Sequence, residues 1–192
     1  MTRTSVSLLD RLKIDQADAS DWRRLNDIYL PLIRIWLAQV PGLDDEAADL
    51  AQEVLIVVVR ELPAFQRQRE GSFRAWLRRV TVNRVRTFLK QRRRRRIVAE
   101  ATDSFLGQLE DPTSILAIEW DRRHDQHVFD KLSAAIRSDF AATTWAAFQR
   151  FAVEGKPAAT VAAELGISEN AVLLAKSRIL KRLRAEARGL VD

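Results

Sequence analysis

One predicted helix near the carboxyl end of the chain carries polar side chains on the side opposite its apolar residues. The residues on that side, one leucine among them, are Glu169, Asn170, Leu173, Lys176 and Ser177. Carboxylate, amide, ammonium and hydroxyl groups can bond to base edges and phosphate oxygens when a helix lies in the major groove of DNA. The spacing of these residues therefore predicts a helix that reads DNA.

The residues before this helix have the pattern needed to hold it against a second helix. Val161 and Leu165 share one face of a preceding helix, and Gly166 can adopt the positive φ that a tight turn requires. Ser168 can accept a hydrogen bond from the first free backbone N–H groups of the next helix. We interpret residues 158–177 as a helix-turn-helix, with two packed core helices as the alternative.

A strongly basic segment forms a second candidate surface. No acidic residue lies between Glu70 and Glu100, and most of the large side chains there that are not apolar are basic. Arginines along a helix can neutralise successive phosphates, and nearby aromatic or polar groups can hold unstacked bases. The periodicity predicts a helix over about residues 73–94, preceded by a loop. In the alternative interpretation, Trp76 and Phe88 are core residues and the last arginines are a solvated helix end.

An acidic segment lies earlier in the chain. Five acidic residues and no basic residue occur between Arg34 and Arg60, namely Asp44, Asp45, Glu46, Asp49 and Glu53. The apolar residues around them repeat with helical spacing, so we expect a helix whose outer side includes Asp49, Gln52 and Ile56. Because this surface and the basic segment have opposite charge, they indicate two different partners.

The composition favours a helical protein with a polyanionic partner. The chain has 192 residues, of which 47% are hydrophobic, and a net charge of +6, which suits one sizeable or two small domains. Glycine and proline are scarce and apolar residues recur every three or four positions, so an all-α fold is predicted. There is no cysteine, no signal-like apolar start and no aliphatic run long enough to cross a bilayer, so we expect a soluble, cytoplasmic protein.

The sequence gives little support for catalysis or metal binding. His124 and His127 lie three residues apart, but no cysteine or third ligand accompanies them, so we expect surface histidines and no metal or cofactor. A nucleic-acid-processing enzyme would need paired carboxylates around a metal ion. The carboxylates of residues 44–49 have no second acidic cluster or histidine to match them, so a protein without catalytic activity is predicted.

Three segments together resemble, in the same order, the motifs of bacterial RNA polymerase sigma factors of the extracytoplasmic-function group of the sigma-70 family. Residues 44–55 are similar to the acidic polymerase-binding helix of the family's first domain. Residues 71–84 are similar to its promoter-melting helix, and residues 171–180 resemble the recognition helix of its second domain. The resemblance spans nearly the whole chain.

The resemblance implies two small helical domains joined by a linker. Residues 1–96 would be a sigma region 2-like domain that binds polymerase and recognises and melts the −10 element. After a linker over residues 97–113, residues 114–192 would be a region 4-like domain whose helix-turn-helix reads the −35 element as duplex. The implied partners are core RNA polymerase, through the β′ clamp helices and the β subunit, together with promoter DNA and an anti-sigma factor.

The resemblance also implies which residues bind each partner. The polymerase-binding residues would be Asp49, Gln52 and Glu53. The −10 element would be bound by Phe65, Ser72, Arg78, Arg79, Asn83, Arg84 and Arg86. The −35 element would be bound by Ser168, Glu169, Asn170, Lys176, Ser177 and Arg178. Leu173 and Leu174 depart from the polar surface that a groove-facing helix normally presents.

The charge pattern also predicts that acidic residues mask the basic helix. The acidic residues between Glu100 and Glu119 are expected to lie over the basic helix and mask it, so that the free protein binds promoter DNA poorly.

The alternative function is a stand-alone helix-turn-helix repressor or activator that binds duplex DNA, usually as a dimer. It explains residues 158–177 but not the first domain.

Overall fold

The computed structural model describes residues 8–13, 18–43, 45–66, 72–92, 96–188 and 190. Within these ranges the secondary structure is helical, and no β-strand occurs in them. The predicted all-α fold is therefore confirmed. The predictions that concern Asp44, residues 67–71, the side chain of Ser72 and residues 93–95 lie outside the described part of the chain.

The described ranges contain nine α-helices. They are α1 (Leu8–Lys13), α2 (Ala19–Leu37), α3 (Ala47–Glu61), α4 (Ser72–Arg92), α5 (Arg96–Glu110), α6 (Ile115–Ile136), α7 (Ala142–Phe148), α8 (Ala158–Leu165) and α9 (Glu169–Ala187). A 3₁₀ turn follows α3, another follows α6, and a π-helical turn follows α7. The chain divides into two compact units within α6, a first unit up to Val128 and a second unit of residues 129–187.

The first unit is built on α2, α3 and α4, which pack in chain order. Helix α2 begins where the carboxylate of Asp18 accepts hydrogen bonds from the backbone N–H groups of Ser20 and Asp21, at 2.8 and 2.9 Å. Its apolar residues recur every three or four positions, and Tyr29 and Trp36 among them are fully buried. Helix α2 is therefore amphipathic, with its apolar face in the core of the first unit.

Residues 97–113, predicted as a linker, are mostly helical and form α5. Leu106 and Leu109 are buried in the first unit, and the hydroxyl of Thr102 donates to the Pro41 carbonyl at 2.8 Å. The apolar residues Phe105, Leu106 and Leu109 recur at helical spacing, so this segment has the pattern of an amphipathic helix. The helix packs against α4.

The first half of α6 also belongs to the first unit. Trp120 is fully buried, and its ring centroid lies 4.1 Å from that of Trp36. The Nε2 of His127 lies 2.7 Å from the Ile28 carbonyl oxygen, which accepts its hydrogen bond. The division after Val128 thus falls later than the predicted domain start at residue 114. The assignment of residues 114–192 to −35 recognition stays a prediction.

The second unit has a small core around α8 and α9. Its buried residues are Ala147, Val161, Ala162, Val172 and Ala175. The two helices are bent by 103° at a short turn in which Gly166 has φ +65°. The hydroxyl of Ser168 accepts the Ala171 backbone N–H at 3.2 Å, which satisfies one free donor of α9. This geometry is compatible with the predicted helix-turn-helix.

Replacing Gly166 with alanine is expected to destabilise the second unit by about 1 kcal/mol, because L-residues are strained at positive φ. A Cβ at this position meets no atom within 4 Å, so the cost comes from the backbone and not from a clash. Urea denaturation followed by the fluorescence of Trp145, which lies in this unit, measures the effect. Gly107→Ala is the control, since its site in α5 is helical and equally open. Equal stability of Gly166→Ala and the wild type would contradict the prediction.

Candidate nucleic-acid interface

Helix α4 places its arginines in unequal environments. Phe73, Leu77 and Val85 are fully buried and hold the helix against the core of the first unit. Arg79 is exposed. Arg78, which lies one turn after Arg74 on the helix, is only 6% exposed. The arginines of the basic helix predicted from the sequence are therefore not equally accessible to a ligand.

Arg74 and Arg78 contact two aspartates of α6. The Arg74 Nη1 lies 2.6 Å from an Asp125 oxygen, and its Nε lies 3.3 Å from an Asp121 oxygen. The Arg78 Nη1 donates to Asp121 at 2.8 Å and to the Ala117 carbonyl at 3.3 Å. Arg78, a predicted −10 ligand, is thus engaged inside the first unit.

Two further arginines of α4 are also paired. Arg84 donates through Nε to a Glu53 oxygen at 2.7 Å. Arg86 makes a two-point contact with the carboxylate of Glu110, with distances of 2.5 and 2.9 Å. Glu53 and Arg84 were predicted to bind different partners, and in this structure they bind each other.

Of the acidic residues between Glu100 and Glu119, one contacts the basic helix and another contacts arginines of its own helix. Glu110 lies over α4 as the masking hypothesis requires. Glu119 instead accepts hydrogen bonds from Arg122 and Arg123 of its own helix, and these bonds lower the pKa of its carboxyl to about 2. Masking by the acids in this segment is therefore supported at one position and absent at another.

Arg79 and Asn83 are two open positions of α4. Both side chains are exposed, and a spacing of four residues puts them one turn apart on the same side of the helix. A guanidinium and an amide in this arrangement can contact a phosphate and a base edge of the same strand. Of the −10 residues predicted in α4, these two are the most accessible to a nucleic acid.

Phe65 packs into an aromatic cluster at the start of α4. Its ring centroid lies 5.0 Å from that of Trp76 and 5.7 Å from that of Phe73, and Phe73 contacts Tyr29 at 5.5 Å. The ammonium group of Lys13 lies 4.8 Å from the centroid of Phe65. Phe65 is partly buried, so a base would reach it by replacing the Lys13 contact or stacking on the free edge of the cluster.

The outer side of α3 combines acidic, polar and apolar groups. Asp49 and Gln52 are exposed, as predicted. Ile56 and Val59, which continue the same stripe at helical spacing, are 64% and 39% exposed. A surface with a charged end and an apolar end suits a protein partner better than a nucleic acid.

Helix α9 presents most of its predicted DNA-binding residues to solvent. The exposed members are Glu169, Asn170, Lys176, Ser177 and Arg178. Lys176 lies over the ring of Phe151, 5.1 Å from the centroid, and Ser168 is occupied as the helix cap. Leu173 and Leu174 are 50% and 44% exposed, so the polar surface is interrupted by an apolar patch.

The expectation of surface histidines is wrong for His124. Its ring is fully buried beside Tyr29, and Nδ1 lies 3.0 Å from an Asp125 oxygen. Burial lowers the pKa of His124 and outweighs the opposing pull of Asp125. For Asp125 the largest influence, burial, would raise the pKa, but hydrogen bonds from His124 and Arg74 hold it below its ordinary value.

The depressed pKa of His124 predicts a loss of stability in mild acid. The unfolded chain binds a proton near pH 6.5 while the folded chain does not, so stability is full above that pH. Below it, the free energy of unfolding falls by up to about 1.4 kcal/mol per pH unit until the folded-state pKa is reached. Urea titrations above and below pH 6.5 measure this slope. His124→Asn keeps a donor near Asp125 but does not titrate, so equal slopes in both proteins would contradict the assignment.

Asp121 and Asp125 were not predicted as site residues. Their spacing of four residues, with a histidine between them, places both carboxylates on one side of α6. That spacing was a usable signal, but an acidic pair on a helix is usually solvated. Only the packing of α6 on α4 shows that these two acids lie against arginines.

Two further observations concern metal ions and membranes. Within the described ranges, no group of three histidine, aspartate or glutamate side chains is placed to hold a metal ion. No single described helix is long and apolar enough to cross a bilayer, although α8 and α9 taken together pass that test despite the 103° bend between them.

Comparison with known families gives one match. Residues 26–95, which include most of α2 and all of α3 and α4, match the family model of sigma-70 region 2. No curated protein matches the chain significantly. This part of the chain is therefore similar to region 2 of sigma-70 sigma factors, which act in transcription initiation with core RNA polymerase on promoter DNA.

Proposed function

We propose, on the premise of this region 2 domain, that the whole chain is a sigma factor of the extracytoplasmic-function group acting in the bacterial cytoplasm. It binds core RNA polymerase, reads the −35 element as duplex and melts the −10 element. The observation that carries the proposal is the match to sigma-70 region 2 over residues 26–95, a range that includes the acidic α3 and the basic α4. An anti-sigma factor is a further proposed partner.

The outer side of α3 is the proposed polymerase-binding surface. Asp49 and Gln52 are exposed, and Ile56 adds an apolar contact one turn further along. Polar contacts to the β′ clamp helices would fix the orientation, while burial of the isoleucine would contribute affinity. Glu53 would contribute only after separating from Arg84.

Helix α4 and the aromatic cluster before it are the proposed −10 surface. Arg79 and Asn83 are open to a strand in the present structure. Arg84 and Arg86 would join them by exchanging carboxylate partners for phosphates. Phe65 and Trp76 offer aromatic faces to a flipped base.

Helix α9 is the proposed −35 surface. Glu169, Asn170 and Arg178 are exposed and can contact base edges and phosphates. Because −35 and −10 contacts lie in separate parts of one chain and are joined through polymerase, each can be weak alone and strong together. The free protein is therefore expected to bind promoter DNA poorly.

Run-off transcription tests the proposal directly. Purified bacterial core polymerase is incubated with a pool of upstream fragments from the source genome, with and without this protein. Transcripts that depend on the protein are expected. Binding to duplex fragments without core association or new transcripts would overturn the proposal and favour the stand-alone regulator.

A further inference from the structure

Three acidic side chains of α5 and α6 each pair with an arginine of α4. We call Glu110, Asp121 and Asp125 the acidic clasp; their partners are Arg86, Arg78 and Arg74, respectively. The paired residues lie 24 to 51 positions apart in the chain, so tertiary packing alone brings them together. The clasp therefore occupies cationic groups of the helix that is proposed to bind the −10 strand.

The centre of the clasp is partly withdrawn from water. The side chains of Arg74 and Arg78 are 19% and 8% exposed, and their aspartate partners 37% and 32%. Attraction between charges is stronger in such surroundings than on an open surface. The pair of Arg86 and Glu110 is more exposed, at 35% and 39%, and so contributes less. The pairs made by Arg74 and Arg78 are therefore the stronger part of the clasp, and the pair of Arg86 and Glu110 is the weaker part.

Apolar contacts fix the clasp in position over α4. Trp120, the neighbour of Asp121, is buried against Trp36, and Ala117 is fully buried one turn earlier. His127 anchors the next turn through the Ile28 carbonyl. Because the helix is anchored in this way, the aspartates stay at high effective concentration near the arginines.

We infer that the acidic clasp is a built-in competitor for DNA, which holds Arg74 and Arg78 in the free protein and is exchanged for phosphates when α4 binds a single strand. The inference rests on the proposed function, because it takes α4 as the strand-binding helix. Breaking the pairs costs free energy that weakens DNA binding by the free protein. Promoter DNA held on polymerase overcomes that cost through effective concentration.

The double variant Asp121→Asn/Asp125→Asn tests the inference. Asparagine keeps an acceptor for each arginine and the side-chain volume, but removes both negative charges. The matched control is Asp103→Asn/Glu119→Gln, which removes two charges from an exposed site on α5 and from a pair within α6. Fluorescence anisotropy with a labelled single-stranded oligonucleotide, in a series of salt concentrations, gives the affinity of each full-length protein.

The clasp variant is expected to bind the oligonucleotide about tenfold more tightly than the wild type, and the control within about twofold. The slope of log affinity against log salt should stay close to that of the wild type, because both bound proteins make the same two phosphate contacts. Equal gains in variant and control would show a net-charge effect, and an unchanged affinity would show that the pairs only stabilise the unit. Either result would overturn the inference.

Two additional measurements keep the outcome decisive. Circular dichroism of the Trp36 and Trp120 pair reports whether α6 is still docked in the variant. If the variant unfolds, Glu110→Gln at the exposed edge replaces it, with an expected gain of about threefold over Asp103→Asn. Run-off transcription by the wild-type protein tests the proposed function separately. Intact transcription without any affinity gain would therefore count against the clasp alone.

Discussion

Changing Asp49 and Gln52 together to alanine is expected to reduce protein-dependent run-off transcription at least about tenfold, which corresponds to about 1.4 kcal/mol of binding free energy. Both side chains are exposed on α3 and make no contribution to the buried stripe, so the variant should fold normally. The loss should come from weaker association with core polymerase. Native gel electrophoresis with core polymerase, run beside the transcription assay, separates this cause from loss of DNA binding.

The matched control is Asp103→Ala/Gln108→Ala on α5. It also removes one exposed aspartate and one exposed glutamine from the first unit, but at a distance in sequence from the proposed surface. Transcription with this control should stay near the wild-type level. If the α3 variant retained full transcription, or lost no more than the control, the assignment of α3 to polymerase binding would be wrong.

Replacing Trp120 with alanine is expected to lower the free energy of unfolding by about 3 to 5 kcal/mol. The side chain is fully buried, and its removal leaves a cavity against Trp36. Such a loss is a large fraction of the stability of a small domain. Urea denaturation of the full chain, followed by circular dichroism, provides the measurement.

Ile118→Ala is the control for this prediction. Ile118 lies two residues away on the same helix but is 57% exposed, so its truncation should change stability by no more than about 0.5 kcal/mol. Similar effects of the two substitutions would mean that the start of α6 is not packed into the first unit. A large difference would support the position of the division after Val128.

Local patterns predicted much of the helical structure. The acidic outer side of α3 was predicted correctly, because helical periodicity directly determines which residues share a face. The turn at Gly166 was predicted for a similar reason, since few residues other than glycine adopt positive φ without strain. Helix α5 was missed, although its apolar residues recur at helical spacing.

The candidate site was predicted only in part. The sequence identified the arginines of α4 as cations but could not assign a partner to any of them. Arg78 was expected to face DNA and is instead buried against Asp121. His124 was expected at the surface and is buried, because its environment is supplied by α2 rather than by its own helix.

The sequence by itself determined most of the helices, the opposite charges of α3 and α4, and the tight turn before α9. These features depend on residues within a few positions of each other, where backbone geometry and side-chain period decide the outcome. The tertiary structure decided which acid neutralises which arginine and where the first unit ends. Arg74 and Asp125 are 51 positions apart, and tertiary contacts of α6, such as Trp120 on Trp36, bring the two residues together. Local sequence does not determine such a contact, because its energy arises only once the two helices are docked.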